Sequence, residues 1–209
     1  MNREELSRNY WRYYCMLEKK FLTIADYVEI DKKNFKCFSN EYALLLQSIG
    51  AELDNVFKLY CGFDLTKSKT IKDYANSILK INPGIKKQKV KIAGTDIVLI
   101  PFRGWNVQNP GKSLKWWQAF TDVKHNRSGN FESANQKNVL YILAALFMLE
   151  TMCFKEFAAV GPNNELTEPD APDELSKLFI MVDWEYRFVR LSTGWALIDG
   201  GYCPLGIDA

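Results

Sequence analysis

The chain is almost without histidine. Its 209 residues contain one, His125, against 27 lysines and arginines and 10 tyrosines. It also lacks any Cys-x-x-Cys pair, since Cys15, Cys37, Cys61, Cys153 and Cys203 are scattered and odd in number. A zinc site needs clustered thiolate or imidazole ligands, so no metal and no other cofactor is expected. The five thiols are expected to be buried and reduced.

Charge of one sign is also scarce. The 27 cations face 25 anions, for a formal charge of +2. That excludes a protein that coats nucleic acid through bulk charge, and any polyanion contact must come from a local patch. Long apolar runs are missing too. The longest, Val139 to Leu149, covers 11 residues, where a bilayer span takes about 20. The opening MNREELSRNY is charged and has no apolar signal core. A soluble cytoplasmic protein with no membrane contact is the expectation. There is no internal repeat, no G-x-x-x-x-G-K-[ST] or G-x-G-x-x-G phosphate loop, and no specific Ser–His–Asp set.

What is present is material for a core: 47% hydrophobic and 14% aromatic residues. Trp11, Tyr14, Leu17, Phe21 and Ile24 recur at helical spacing and predict a first helix from about Glu4 to Tyr27. Ser39 predicts the N-cap of a second helix with Tyr42, Leu45, Leu46, Ile49, Leu53, Val56 and Phe57 on its buried face, and Gly62 predicts its stop. Thr70 and Asp73 form a capping box for a shorter helix, ended by Asn82-Pro83-Gly84.

Next, KQKVKIAGTDIVLIPF predicts a two-stranded hairpin at about 88–102. Lys86, Lys87, Lys89 and Lys91 enter it, and protection of an edge strand is their expected role, ahead of contact with RNA. Ser113 is expected to cap a short helix reaching Val123, and a long helix is expected from about Glu132 to Phe157. Residues 161–172 read as a linker. The remainder, with strand-like pieces at Leu178 to Val182 and Trp195 to Ile198, is expected to fold back onto the main body, and pairing with the 88–102 hairpin is one way for it to do so. The organisation is thus a helical body over 1–160 and an extension over 161–209.

The single histidine sits in the tetrad Lys124-His125-Asn126-Arg127, at the expected end of that short helix. Cations at a helix C-terminus are favourable for dipole reasons alone. The same residues also make a toolkit for phosphodiester cleavage without metal. Imidazole exchanges protons near neutrality, and the guanidinium fork fits phosphate oxygens. Such chemistry needs RNA, whose 2′-hydroxyl is the nucleophile.

Three stretches, YWRYYCMLEKKF, SNEYALLLQSIGAELDNVFKLYC and WWQAFTDVKHNRSGNFESANQKNVLYILAALFMLE, together resemble the HEPN-like helical proteins of bacterial defence and toxin–antitoxin systems. The resemblance lies in element order and covers about the first 160 residues. It implies a mainly α, four- to five-helix bundle with an inserted β-hairpin, a homodimer, and a partner protein of the same defence system. It also implies that catalytic members are metal-independent endoribonucleases. The family signature runs Arg, polar residue, then His some positions later, whereas here the order is His125-Asn126-Arg127. Only residue types carry over: His125, Arg127 and Asn126 as candidate catalytic residues and Lys124 as a substrate contact. The family often adds an acid on the second helix. Glu52 and Asp54 are the positions here, and being two apart they face different ways; Glu52 is the one kept. Non-catalytic members that bind or dimerise are the alternative.

Overall fold

The computed structural model describes residues 1–158, 169–184, 195–198 and 201–204, the last two segments as backbone. The chain is mainly helical, with a small antiparallel sheet.

Helix α1 (Arg3–Leu6) opens with a capping box between Asn2 and Glu5. It passes through a π-helical turn, Ser7–Trp11, into α2 (Arg12–Ala25), with right-handed helical backbone throughout. The wide turn lets two consecutive residues, Tyr10 and Trp11, both reach the core ahead of Tyr14, Leu17 and Phe21. Helix α3 (Asn40–Tyr60) begins at Ser39, whose hydroxyl accepts from the Tyr42 N–H at 3.1 Å. It ends at Gly62, where φ is +65° and the Phe63 N–H returns to the Lys58 carbonyl. The Thr70–Asp73 box starts α4 (Ile71–Ile81).

Two helix starts differ from the expectation. Ser113 does not cap the tetrad helix. Pro110 nucleates its own short turn, α5 (Pro110–Ser113), and the Ser113 hydroxyl bonds back to the Pro110 carbonyl at 3.2 Å. Leu114 takes the cap position of α6 (Lys115–His125) with no side-chain bond. The long helix, α7 (Gln136–Phe157), starts four residues later than Glu132, because Asn135 is extended and caps the Asn138 N–H at 3.0 Å. The Gln136 and Lys137 N–H groups are taken by the carbonyls of Cys37 and Phe35. The α2–α3 connection is thereby stitched across the start of α7.

Helix α7 is the centre of the molecule. Its 22 residues are apolar enough to cross a membrane by length and composition, beyond what the 11-residue run suggested, but most are buried against the other elements. Its main neighbour is α3. Helix α6 seats on α3 at Gly50, where an added Cβ would lie 2.3 Å from the Phe120 ring. Only glycine permits that approach. Phe57 of α3 gathers Tyr74, Trp105 and Trp117 around it, with ring centroids 4.9, 5.8 and 5.7 Å away.

The hairpin strands are β1 (Lys89–Ile92) and β2 (Val98–Leu99). The sheet has a third member, β3 (Phe179–Val182), and its order is β2-β1-β3. Strand β1 is therefore central, and its lysines do not guard an edge as expected. Strands β4 (Trp195–Ile198) and β5 (Gly201–Pro204) pair with each other. The expected linker falls largely on residues outside those described.

The segment before β3 is strapped across α1 and α2. Arg3 bonds the Ala171 carbonyl at 2.9 Å and pairs with Asp173, and the Trp11 indole donates to the Glu174 carbonyl at 2.7 Å. Glu18, only 4% exposed, accepts from the Tyr14 hydroxyl (2.7 Å), the Ser176 hydroxyl, and the N–H groups of Lys177 and Leu178 (3.1 Å each).

Candidate functional site

The tetrad forms an exposed corner where α6 stops. His125 is the last residue of the helix and is open to solvent, with no hydrogen-bond partner among the described residues. It does not bond a terminal carbonyl. That task falls to Asn126 and Asn130: the Asn126 N–H and the Asn130 side-chain amide both reach the Asp122 carbonyl, at 2.9 and 3.2 Å. The Asn126 carboxamide oxygen is committed to the loop, accepting from the Ser128 hydroxyl and the Gly129 N–H, each at 3.1 Å. Gly129 packs so close that a Cβ there would meet the Asn126 amide at 2.7 Å.

The two cations lean on aromatic rings. The Lys124 ammonium lies 5.7 Å from the Phe120 centroid, and the Arg127 guanidinium 5.7 Å from that of Phe131. Arg127 also donates to the Asn40 carboxamide oxygen at 3.2 Å, which ties the corner to the first turn of α3. Neither cation is in an ion pair among the described residues. Beside them Phe131 packs edge-on against Phe38, which is 45% exposed, and Leu44, one turn beyond Asn40, is 61% exposed.

Glu52 is not part of this corner. Arg127 touches Asn40, and Glu52 lies twelve residues further along α3, about 18 Å down the axis. It is half-buried instead of solvated, with the Asn55 amide at 3.3 Å, and burial raises its carboxyl above the ordinary value. Asp54 does face another way: it accepts from the Tyr74 hydroxyl at 2.6 Å and pairs with Lys58 at 2.9 Å.

Sequence reasoning missed Glu150. It is fully buried on α7, and among the described residues neither carboxylate oxygen has a hydrogen-bond partner. Burial first, and then the neighbouring Glu52, drive its carboxyl well above the usual range. The Tyr10 hydroxyl in the π turn is raised by its own burial and by Glu52, Cys153 and Glu150. A signal was available, because Glu150 is the one charged residue between Val139 and Phe154. The expectation for the thiols holds in full at Cys153, which is buried; Cys15 and Cys61 are partly buried, Cys37 is exposed, and the Cys203 side chain lies outside those described. Among the described residues no group of His, Cys, Asp and Glu is arranged to hold a metal.

The concave surface lies elsewhere. A cavity of about 240 Å³ opens between β2 and the starts of α6 and α7, lined by Arg103, Lys115, Lys137 and Tyr141 among others. A second, of about 550 Å³, is lined by Lys86, Lys87, Lys89 and Asp183. The two share Ile100 and Arg103. Comparison of the chain with protein-family models, with curated proteins and with solved structures returns no match.

Proposed function

We propose that the chain is a HEPN-like helical bundle that engages RNA phosphate at the Lys124–Arg127 corner and acts as a homodimer in a cytoplasmic defence or toxin system. One observation supports this above the others. Two cations and the lone imidazole project from a single helix end, with no carboxylate paired to them, and both cations are propped on aromatic rings.

The sharper form of this reading is metal-independent cleavage. His125 takes the proton of a ribose 2′-hydroxyl, and that oxygen attacks the adjacent phosphorus. The 5′-oxygen then leaves as an alcohol with a proton from a second acid, and a 2′,3′-cyclic phosphate remains. Arg127 meets the charge on the pentacoordinate phosphorus. One chain holds one imidazole, so the second acid comes from a second copy docked at the exposed Phe38 and Leu44. Glu52 plays no part in this step.

A second reading, a non-catalytic module that binds or dimerises to regulate a partner protein, is favoured by one feature. Among the described residues nothing hydrogen-bonds the His125 ring to orient it, and general bases are normally held in place. Incubation with total RNA in EDTA separates the two. Cleavage that falls at least about 100-fold in His125→Ala supports the enzyme. Intact RNA after incubation with the wild-type homodimer removes catalysis and leaves the binding module. If neither cleavage nor RNA binding responds to His125→Ala and Arg127→Ala, the corner is only a helix end.

A further inference from the structure

Lys86, Lys87 and Lys89 would be unremarkable on an edge strand, where cations deter pairing with other chains. They are not on one. Strand β1 is hydrogen-bonded on both sides, to β2 and to β3, and its Lys89 and Lys91 are exposed on the face opposite the buried Val90 and Ile92. In the folded chain, edge protection does not account for the cations gathered there.

The cavities supply another reason. They are contiguous through Ile100 and Arg103, and together they form a single trough from the β1 entry, past Arg103, to the first turns of α6 and α7. Six cations line it: Lys86, Lys87, Lys89, Arg103, Lys115 and Lys137. The one carboxylate in it, Asp183, reaches Lys89 at 3.9 Å. Among the described residues the other five cations have no ion-pair partner. A chain with a formal charge of only +2 thus concentrates unpaired positive charge in one concave strip. The walls are not purely polar. Val98, 46% exposed, and Ile100 give apolar surface, and the half-buried ring of Tyr141 stands beside Lys137 and Asn138. Cations that track a backbone, with an aromatic face and apolar surface beside them, are what a nucleic-acid single strand requires. An acidic peptide would match the charge but would have no use for the ring.

We propose that this trough binds single-stranded nucleic acid, with Arg103 as its central phosphate contact and Tyr141 as a face for a base. The proposal does not depend on the Lys124–Arg127 corner, which lies at the opposite end of α6.

The test uses the full chain and fluorescein-labelled oligo-U and oligo-dT, read by anisotropy between 50 and 300 mM salt. The wild type is expected to bind both, because the phosphate backbone is shared, with a salt slope that grows by about 0.7 for each phosphate neutralised. Arg103→Glu with Lys137→Glu is expected to weaken binding by at least about tenfold and to flatten the slope by about 1.4. Arg103→Lys with Lys137→Arg should stay near wild type. Both positions, Arg103 and Lys137, are exposed, so circular dichroism should show an unchanged fold. Tyr141→Ala is expected to weaken binding with the salt slope unchanged, which a purely electrostatic strip would not do. Wild-type failure to bind at 50 mM salt overturns the proposal. So does a double charge reversal that binds normally, or equal competition by polyglutamate. If binding instead falls only in Arg127→Ala, the corner reading stands and the trough is discarded.

Discussion

Two glutamates are buried among the described residues and are treated in opposite ways. Glu18 on α2 receives four donors: two hydroxyls and two backbone N–H groups. Glu150 on α7 receives none. Both sit close enough to Cys15 to hold its thiol up, after burial and Glu174, at about 12. The comparison shows what decides the fate of a carboxylate inside a protein. Depth matters less than whether the chain brings donors to it. Three of the four partners of Glu18 lie about 160 residues away in sequence, so its carboxylate serves as the clamp for the C-terminal segment. Among the described residues the charge that acts on Glu150 is that of Glu52, which makes ionisation harder still.

The largest effect that could break this comparison is expected from Glu18→Ala. It strands the Tyr14 hydroxyl, the Ser176 hydroxyl and two N–H groups, and should cost about 3–5 kcal/mol. For a chain of this size that is on the order of 10 °C in melting temperature by circular dichroism. A melt within a degree of wild type would mean that the donors find other partners. Next in size is Glu150→Gln, which should stabilise. The folded carboxyl titrates well above its unfolded value. As pH rises past the unfolded value, near 4.3, the unfolded chain gives up this proton first. Stability is therefore lost from there upward. The gain in Glu150→Gln should be several degrees at pH 7 and should vanish below about pH 4. A gain of equal size at both pH values would show that ionisation is not its source. The smallest effect is expected from Glu52→Gln. Removing that charge relieves Glu150 and also removes a half-buried acid, so the melt at pH 7 should rise by less than in Glu150→Gln.

Much of the helical plan was legible, because its signals are local. Ser39, the Thr70–Asp73 box and Gly62 act within four residues of themselves, and each performs the expected role. What was hidden depends on distance along the chain. Pairing of the C-terminal strand with the hairpin was within reach of the sequence, but nothing near Lys89 announces that β3 joins on the β1 side and makes that strand central. Nothing near Glu18 announces Lys177 and Leu178. Ser113 carried a cap signal that Pro110 overrode by starting a helix of its own. At the corner, the tetrad's place at a helix end was readable. That Arg127 would rest on Phe131 and reach Asn40, and that Asn126 would give its oxygen to a loop glycine, was not. Glu52 was chosen from its place on the second helix, but axial rise carries it far from His125.

The pairing of β1 with β3 joins strands about 90 residues apart. On the ribosome, at about 5–20 residues per second, β1 waits roughly 5–20 s for its second neighbour. Throughout that interval the edge that β3 will cover is an open template, and Lys89 and Lys91 on the exposed face beside it are cations of the kind that deter pairing with another chain. The same side chains thus have a chaperoning task early in the life of the molecule, one that ends when residue 182 emerges.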